Sequence, residues 1–417
     1  MRGSRLLASV ILAALVCSAC LRVQPHVSLP QLALGEPQFF RTLEAYASAP
    51  IVAGNNVEIL LNGEQTFPAQ LELIRSATRT ITYAQYFYAD GPVSKDIAYA
   101  LAERCRAGVG VNVLLDAFGA MRIPGDYVDH MRDSGCHVAW FRPLHRLWPG
   151  GKFANRNHRR SLVVDGRVAI TGGSGVSRKW IGNGRVADHW RDTDVRIDGP
   201  AVAYIQGSFA ETWLEATGMV LGGEEYFPTT LTPRGQAHVQ VVRSSPATGD
   251  FAIYTAFLLA IASARKSILV TNPYFVLDEK MTEAILDAHK SGAKVTVLVP
   301  GKIDHNLVRT ASRAEFGRLL KAGIEIYEYR AALLHSKTMV IDGVWATIGS
   351  TNLDNASFAL NDELNVIIYN RDVAQRLEQI FVEDLKHAKQ VTFEAWSKRG
   401  LKERLIELIA LPIRDLL

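Results

Sequence analysis

Cysteine is nearly absent: 417 residues hold four, and two of those, Cys17 and Cys20, fall within the first twenty. Beyond them only Cys105 and Cys136 remain, with no Cys-x-x-Cys pair and no His/Cys cluster, which argues against a structural metal site. The two can pair in an oxidising compartment or can serve as small buried apolar side chains; the sequence leaves both open. A strong charge of one sign is also missing. Lys and Arg number 46 against 42 Asp and Glu, a net +4 that leans toward an anionic partner without naming one. Charged residues make up 21% and apolar residues 48%, which excludes a disordered chain. At this length one ordinary core is exceeded, so two domains are expected.

What is present begins with "MRGSRLLASVILAALVCSAC". Arg2 and Arg5 precede an apolar run that ends in small residues, the pattern of a secretory signal. The run is short for a spanning helix. Its close, "CSAC", resembles a bacterial lipobox with Cys20 as the site of lipid attachment, although Cys17 stands where an aliphatic residue is usual. A membrane-attached lipoprotein of the cell envelope is the favoured reading, with an ordinary signal or an uncleaved anchor as the other. Residues 21–54 hold several Pro and Gly and little periodicity, and read as a tether.

The rest of the chain repeats itself. "AQLELIRSATRTITYAQYFYADGPVSKDIAYALAERCRAGVGVNVLLDAFG" runs helix, strand, helix, Gly108, strand; "YTAFLLAIASARKSILVTNPYFVLDEKMTEAILDAHKSGAKVTVLVPG" runs the same way through Gly292. Each is followed by a third strand, "CHVAWFRP" and "IEIYEY". The expectation is an α/β protein with two similar domains, 55–230 and 231–395, and a helical tail over 396–417.

The repeat extends to two unusual segments. "RNHRRSLVVDG" and "LLHSKTMVIDG" each place a histidine two residues before a cation and seven before an aspartate: His158, Arg160 and Asp165, then His335, Lys337 and Asp342. The histidines lie 177 residues apart. In an extended chain residues i and i+2 face the same way, so each histidine projects with its cation. Two domains packed about a pseudo-twofold axis would bring two imidazoles and two cations to one cleft. That set suits a phosphodiester: cations hold the charge that builds at phosphorus, one imidazole attacks, and the other moves a proton.

These segments resemble the phospholipase D superfamily. "HSKTMVIDGVWATIGSTN" looks like its HxKxxxxDx6GSxN signature, and "HRRSLVVDGRVAITGGSG" like the first-half counterpart. With "QYFYAD", "NPYF", "ASRAEFGRLLKAGIEIYEY" and "GSTNLDNASFALNDELNV", the chain over about 55–400 is similar to bacterial cardiolipin synthases. The resemblance implies the phospholipase D fold with a shared active site. It implies His158 and His335 as the catalytic pair, and Lys337, Arg160, Asn352 and Ser350 as the phosphate-binding set. Asp192 is expected to orient His158, with Asp194 its rival, and Glu363 to orient His335. Asp165 and Asp342 are expected to be structural. Three positions depart from the family pattern: Arg160 stands for Lys, Gly175 for Asn, and Ala356 where Arg is frequent.

The implied activity is phosphatidyl transfer onto phosphatidylglycerol through a phosphohistidine, from phosphatidylglycerol or another donor such as phosphatidylethanolamine, with His158 favoured as nucleophile. No metal or other cofactor is implied. The expected partners are phospholipids and a membrane surface, not nucleic acid, and the oligomeric state is left open. A hydrolytic phospholipase D is the leading alternative, a nuclease a weaker one, and a non-catalytic lipid-binding lipoprotein a third. Tyr86 and Tyr274 read as core residues. The segment "FRPLHRLWPGGKFANRN" reads as an interfacial or ordinary loop, and the tail "LKERLIELIALPIRDLL" as a docked helix, with a membrane-surface helix the minor reading.

Overall fold

The computed structural model describes residues 28–143, 155–302 and 306–400. The signal segment with Cys20, most of the loop before the first histidine and the tail beyond residue 400 lie outside these residues.

In the first half the strands are β1 (Ile51–Leu61), β2 (Thr80–Gln85), β3 (Gly110–Asp116), β4 (His137–Phe141), β5 (Ser161–Val164), β6 (Val168–Gly172) and β7 (Thr193–Asp198). In the second they are β8 (Ala237–Ser244), β9 (Ser267–Thr271), β10 (Lys294–Pro300), β11 (Glu325–Tyr329), β12 (Thr338–Ile341), β13 (Trp345–Gly349), β14 (Glu363–Tyr369) and β15 (Ala388–Val391). All fifteen form one sheet, in the order β15-β11-β10-β9-β12-β13-β14-β8-β1-β7-β6-β5-β2-β3-β4. Outward from the β8–β1 junction the two halves have the same order, and only β15 lacks a counterpart. Parallel pairs (β2–β3–β4, β9–β10–β11) arise where a helix crosses between strands, and the hairpins β5–β6 and β12–β13 run antiparallel. The α/β reading and the internal repeat are therefore both present.

The expectation of a tether over residues 21–54 fails in its second part. Pro37–Ala47 is a helix, α1, with proline in its first turn. Phe39 and Leu43 on one face are fully buried, in the core of the second half beside Ile253 and Phe257. The signal for it was the apolar spacing of Phe39, Leu43 and Ala47. At the other end, Trp396 donates from Nε1 to the Arg313 carbonyl and packs against the same core, so the second domain runs past residue 395.

Asp165 and Asp342 explain why each hairpin sits where it does. Both adopt positive φ (52° and 53°) at the turn between paired strands. Asp165 accepts backbone N–H bonds from Thr78, Arg79 and Thr80, and Asp342 from Arg265, Lys266 and Ser267. Each carboxylate thus fastens its hairpin to the entry of β2 or β9. The open question about Cys105 and Cys136 also closes: they form a disulfide, with Cα atoms 5.5 Å apart, between the end of helix Pro92–Arg106 and the start of β4.

Candidate active site

The histidine segments do not lie inside strands. β5 begins at Ser161 and β12 at Thr338, so His158–Arg160 and His335–Lys337 are extended lead-ins to them. Their backbones bond across the middle of the molecule. The His158 N–H donates to the Asp362 carbonyl at 2.9 Å, and the His335 N–H to the Arg191 carbonyl at 2.7 Å. Arg191 in turn donates to the Leu333 carbonyl, and Asp362 to that of Arg156.

This crossing corrects the expected acid assignments. Asp192 and Glu363 directly follow Arg191 and Asp362, so each acid is delivered to the histidine of the other half. His158 Nδ1 lies 2.9 and 3.0 Å from the Glu363 carboxyl oxygens, and His335 Nδ1 lies 2.6 Å from Asp192 Oδ2. Asp194 contacts neither histidine; it accepts from Ser174 and Thr66. Asp192 and Glu363 are wholly buried, and the histidines expose 7% (His158) and 6% (His335) of their surface.

The spacing by two residues does bring each cation to its histidine. Arg160 Nη1 donates to the His158 carbonyl and Nη2 lies 3.1 Å from His158 Nε2. Lys337 Nζ donates to the His335 carbonyl and lies 2.9 and 3.1 Å from the two ring nitrogens. A guanidinium can only donate, so Nε2 of His158 presents its lone pair and Nδ1–H points to Glu363. Arg160 Nε has no acceptor among the described residues, and neither does Asn352 Oδ1 have a donor. Buried polar atoms left in this way suit an incoming anion and its polar neighbours.

The two dyads differ electrostatically. Burial pulls the His335 imidazole down to about 4, Lys337 pushes the same way, and Asp192 opposes. Burial and then Arg160 and Lys337 hold His158 well below its ordinary value. Burial raises Glu363 to about 7. Asp192 is raised by burial too, but His335, Lys337 and the Trp180 N–H outweigh that and keep it below the usual carboxylate range. His335 thus faces an acid held ionised, and His158 one that burial makes harder to ionise.

The departures from the motif have local causes. Ser350 Oγ donates to Glu363 Oε2 at 2.5 Å, so it supports the acid. In the first half Trp180 Nε1 does this for Asp192, at 2.8 Å. Gly173, which matches Ser350, leaves the room: a Cβ there would come within 2.2 Å of Asp192 Oδ1. Gly175, in place of asparagine, likewise sits against the Trp180 ring, where a Cβ would approach to 2.9 Å.

Both histidines open on a cleft of about 490 Å³. Arg160, Asn352, Asp354 and Ala356 also line it, and so do Tyr86 and Tyr274, which the sequence had assigned to the core. Aromatic rings brace the imidazoles. Tyr86 packs edge-on to His158 with ring centroids 4.7 Å apart, and Trp180 and Trp190 each lie 5.3 Å from His335. The tryptophans were missed; the one hint was Trp190 two residues before Asp192.

Residues 71–213 and 257–385 match the family described as "Cardiolipin synthase, PLD-like domain". A cardiolipin synthase of Geobacillus sp. (strain WCH70) is 33% identical over 397 residues, 94% of this chain and 79% of the relative. The chain belongs to this family. Cardiolipin synthase 1 of Bacillus anthracis is 30% identical over 382 residues, covering 90% of this chain and 75% of that one. Among solved structures, phosphatidylserine synthase of Haemophilus influenzae Rd KW20 superposes with a TM-score of 0.70 over 91% of this chain and 98% of the other. At 14% identity that likeness shows the phospholipase D fold alone. This cardiolipin synthase-family chain is thus an enzyme of the phosphatidyltransferase/phosphodiesterase class, with cardiolipin synthase-like activity.

Proposed function

We propose that the protein makes cardiolipin by transferring a phosphatidyl group to phosphatidylglycerol through a covalent histidine intermediate. The observation that carries this is the pair of crossed dyads, Glu363–His158 and Asp192–His335, whose histidines open with Arg160 on one cleft while Lys337 lies against the His335 ring.

The asymmetry of the dyads favours His158 as nucleophile and His335 as acid and base. His158 Nε2, held as a lone pair, attacks phosphorus, and the bond from phosphorus to the headgroup oxygen breaks. Arg160 and Lys337 hold the non-bridging oxygens. The arriving anion offsets the two cations and raises the His335 pKa, so this imidazole carries the proton that the leaving alkoxide takes up. Ionised Asp192 stabilises that imidazolium. The acceptor hydroxyl then returns a proton to His335 and attacks phosphorus, and the bond to His158 breaks. With phosphatidylglycerol as donor the first product is glycerol; with water as acceptor the result is phosphatidic acid.

Incubation with phosphatidylglycerol vesicles, with and without phosphatidylethanolamine, followed by mass spectrometry of the lipids, tests this. Cardiolipin is expected from the wild type and none from His158→Ala or His335→Ala, each folded by circular dichroism. Phosphatidic acid without cardiolipin would replace the synthase reading with a hydrolase. Attachment to the envelope through a lipid on Cys20 belongs to the same proposal, supported by the signal-like first twenty residues. Among the described residues no helix is long and apolar enough to cross a membrane.

A further inference from the structure

We infer that Lys179, with Arg122 lining the same cleft, binds the phosphate of the acceptor lipid and so selects a phosphate-bearing alcohol over a plain one. The inference rests on the phosphatidyl-transfer reading and adds to it a second anion site.

The first support is the internal repeat. Lys179 stands 177 residues before Ala356, the same interval that separates the two histidines. The match is structural as well. Ser177 and Asp354, also 177 apart, cap equivalent short turns: Ser177 Oγ accepts from the Lys179 N–H, and Asp354 Oδ1 from the Ser357 N–H. At Ala356 the second half therefore offers a methyl group to the cleft. The symmetry-related position in the first half offers an ammonium to the same cleft. Of the two equivalent positions only the first-half one carries a cation.

The second support is where Lys179 sits relative to the chemistry. Its Nζ lies 4.6 Å from the centre of the Trp190 ring and 5.6 Å from that of Phe87. Trp190 is the ring against which His335 packs. Lys179 is thus on the His335 side of the cleft, whereas Arg160 and Tyr86 are on the His158 side. If His335 serves the leaving and entering oxygens, an acceptor with its hydroxyl at His335 extends its glycerol toward Lys179. In phosphatidylglycerol the phosphate is at the other end of that glycerol.

The third support is charge. Among the described residues no carboxylate lies within ion-pair distance of Lys179 or of Arg122, and both line the cleft. The aromatic rings hold the Lys179 ammonium in place without neutralising it. Phe118 and Met121, 45% and 56% exposed, line the same cleft, whose lining is thus cationic and apolar together, as an anionic lipid requires.

The transfer step itself is unchanged. The acceptor hydroxyl gives its proton to His335 Nε2, its oxygen bonds to phosphorus, and the phosphorus–His158 bond breaks. Lys179 touches only the acceptor's own phosphate.

The test uses two soluble acceptors, isotope-labelled glycerol and isotope-labelled glycerol 3-phosphate, at equal concentration with unlabelled phosphatidylglycerol vesicles as donor, and reads by mass spectrometry the ratio of label entering phosphatidylglycerol and phosphatidylglycerol phosphate. The wild type is expected to favour glycerol 3-phosphate about tenfold. Lys179→Met should bring the ratio close to one, and Lys179→Arg should restore most of it. A wild type with no preference, or a Lys179→Met ratio equal to the wild type's, overturns the inference while leaving phosphatidyl transfer standing. Absence of transfer to either acceptor overturns the transferase reading and this inference with it.

Discussion

At the residue scale the two carboxyl groups do different work, although symmetry makes them equivalents. Asp192 is ionised against His335, whereas Glu363 is raised to about 7 by burial. Asp192→Asn removes the carboxylate that raises the His335 pKa, so the proton needed by the leaving oxygen is held less well. A fall in kcat of ~10²–10⁴ is expected. Glu363→Gln replaces an acid whose charged form burial already disfavours, and the loss should be nearer ~10-fold. Equal losses in steady-state assays of the two variants would remove the asymmetry and the assignment of roles built on it. The pH profile follows from His158. Its pKa lies well below 6.5, so the neutral nucleophile persists as pH falls through that value. The acid limb of kcat/KM should therefore appear below pH 6.5, and a limb centred at 6.5 or above would contradict it.

The sequence made the catalytic groups legible at this scale and their partners illegible. His158, Arg160, His335 and Lys337 show because the same spacing occurs twice. The family resemblance pairs each acid with the histidine of its own half, because a motif read along the chain carries no information about which half's acid folds onto which histidine. The backbone bonds from His158 to Asp362 and from His335 to Arg191, which decide the matter, link residues 204 and 144 positions apart. Tyr86, Trp180 and Trp190 were unreadable for another reason: an aromatic residue beside a cleft has the same sequence environment as one in a core.

At the element scale, most of the architecture was readable. Alternating strands and amphipathic helices give the α/β order, and the motif aspartates have the structural role expected of them, since Asp165 and Asp342 tie hairpins to β2 and β9. Helix α1 was hidden by the prolines and glycines around it, and its buried face is satisfied by the second half's core, more than 200 residues away in sequence. The disulfide belongs to this scale as well. It closes a segment of 31 residues between a helix end and β4, on the outer side of the first half. Replacing both cysteines by serine should cost about 2–4 kcal/mol by restoring freedom to the unfolded chain. Calorimetry should show the lower Tm, while turnover at 25 °C stays within about twofold. A larger loss of turnover at that temperature would mean that the bridge positions the site.

For the whole molecule, membrane attachment is the property that the described residues do not supply by a spanning helix. Cys20→Ser, followed by fractionation of cells, should move the protein out of the membrane fraction if a lipid on this residue is the anchor. Unchanged retention would assign attachment to another part of the chain.

The crossed dyads have a bearing on how such a chain could arise. A symmetric pair of identical ancestral subunits could already work in this way, because each subunit would complete the histidine of its neighbour. Symmetry, however, would oblige every substitution to occur twice in the assembled site. Fusion into one chain lifts that obligation, and the present sequence records the consequence: arginine opposite lysine, glutamate opposite aspartate, glycine opposite asparagine, and Lys179 opposite Ala356. Two once-equivalent positions have become free to specialise, one toward the bond that breaks and the other toward the molecule that arrives.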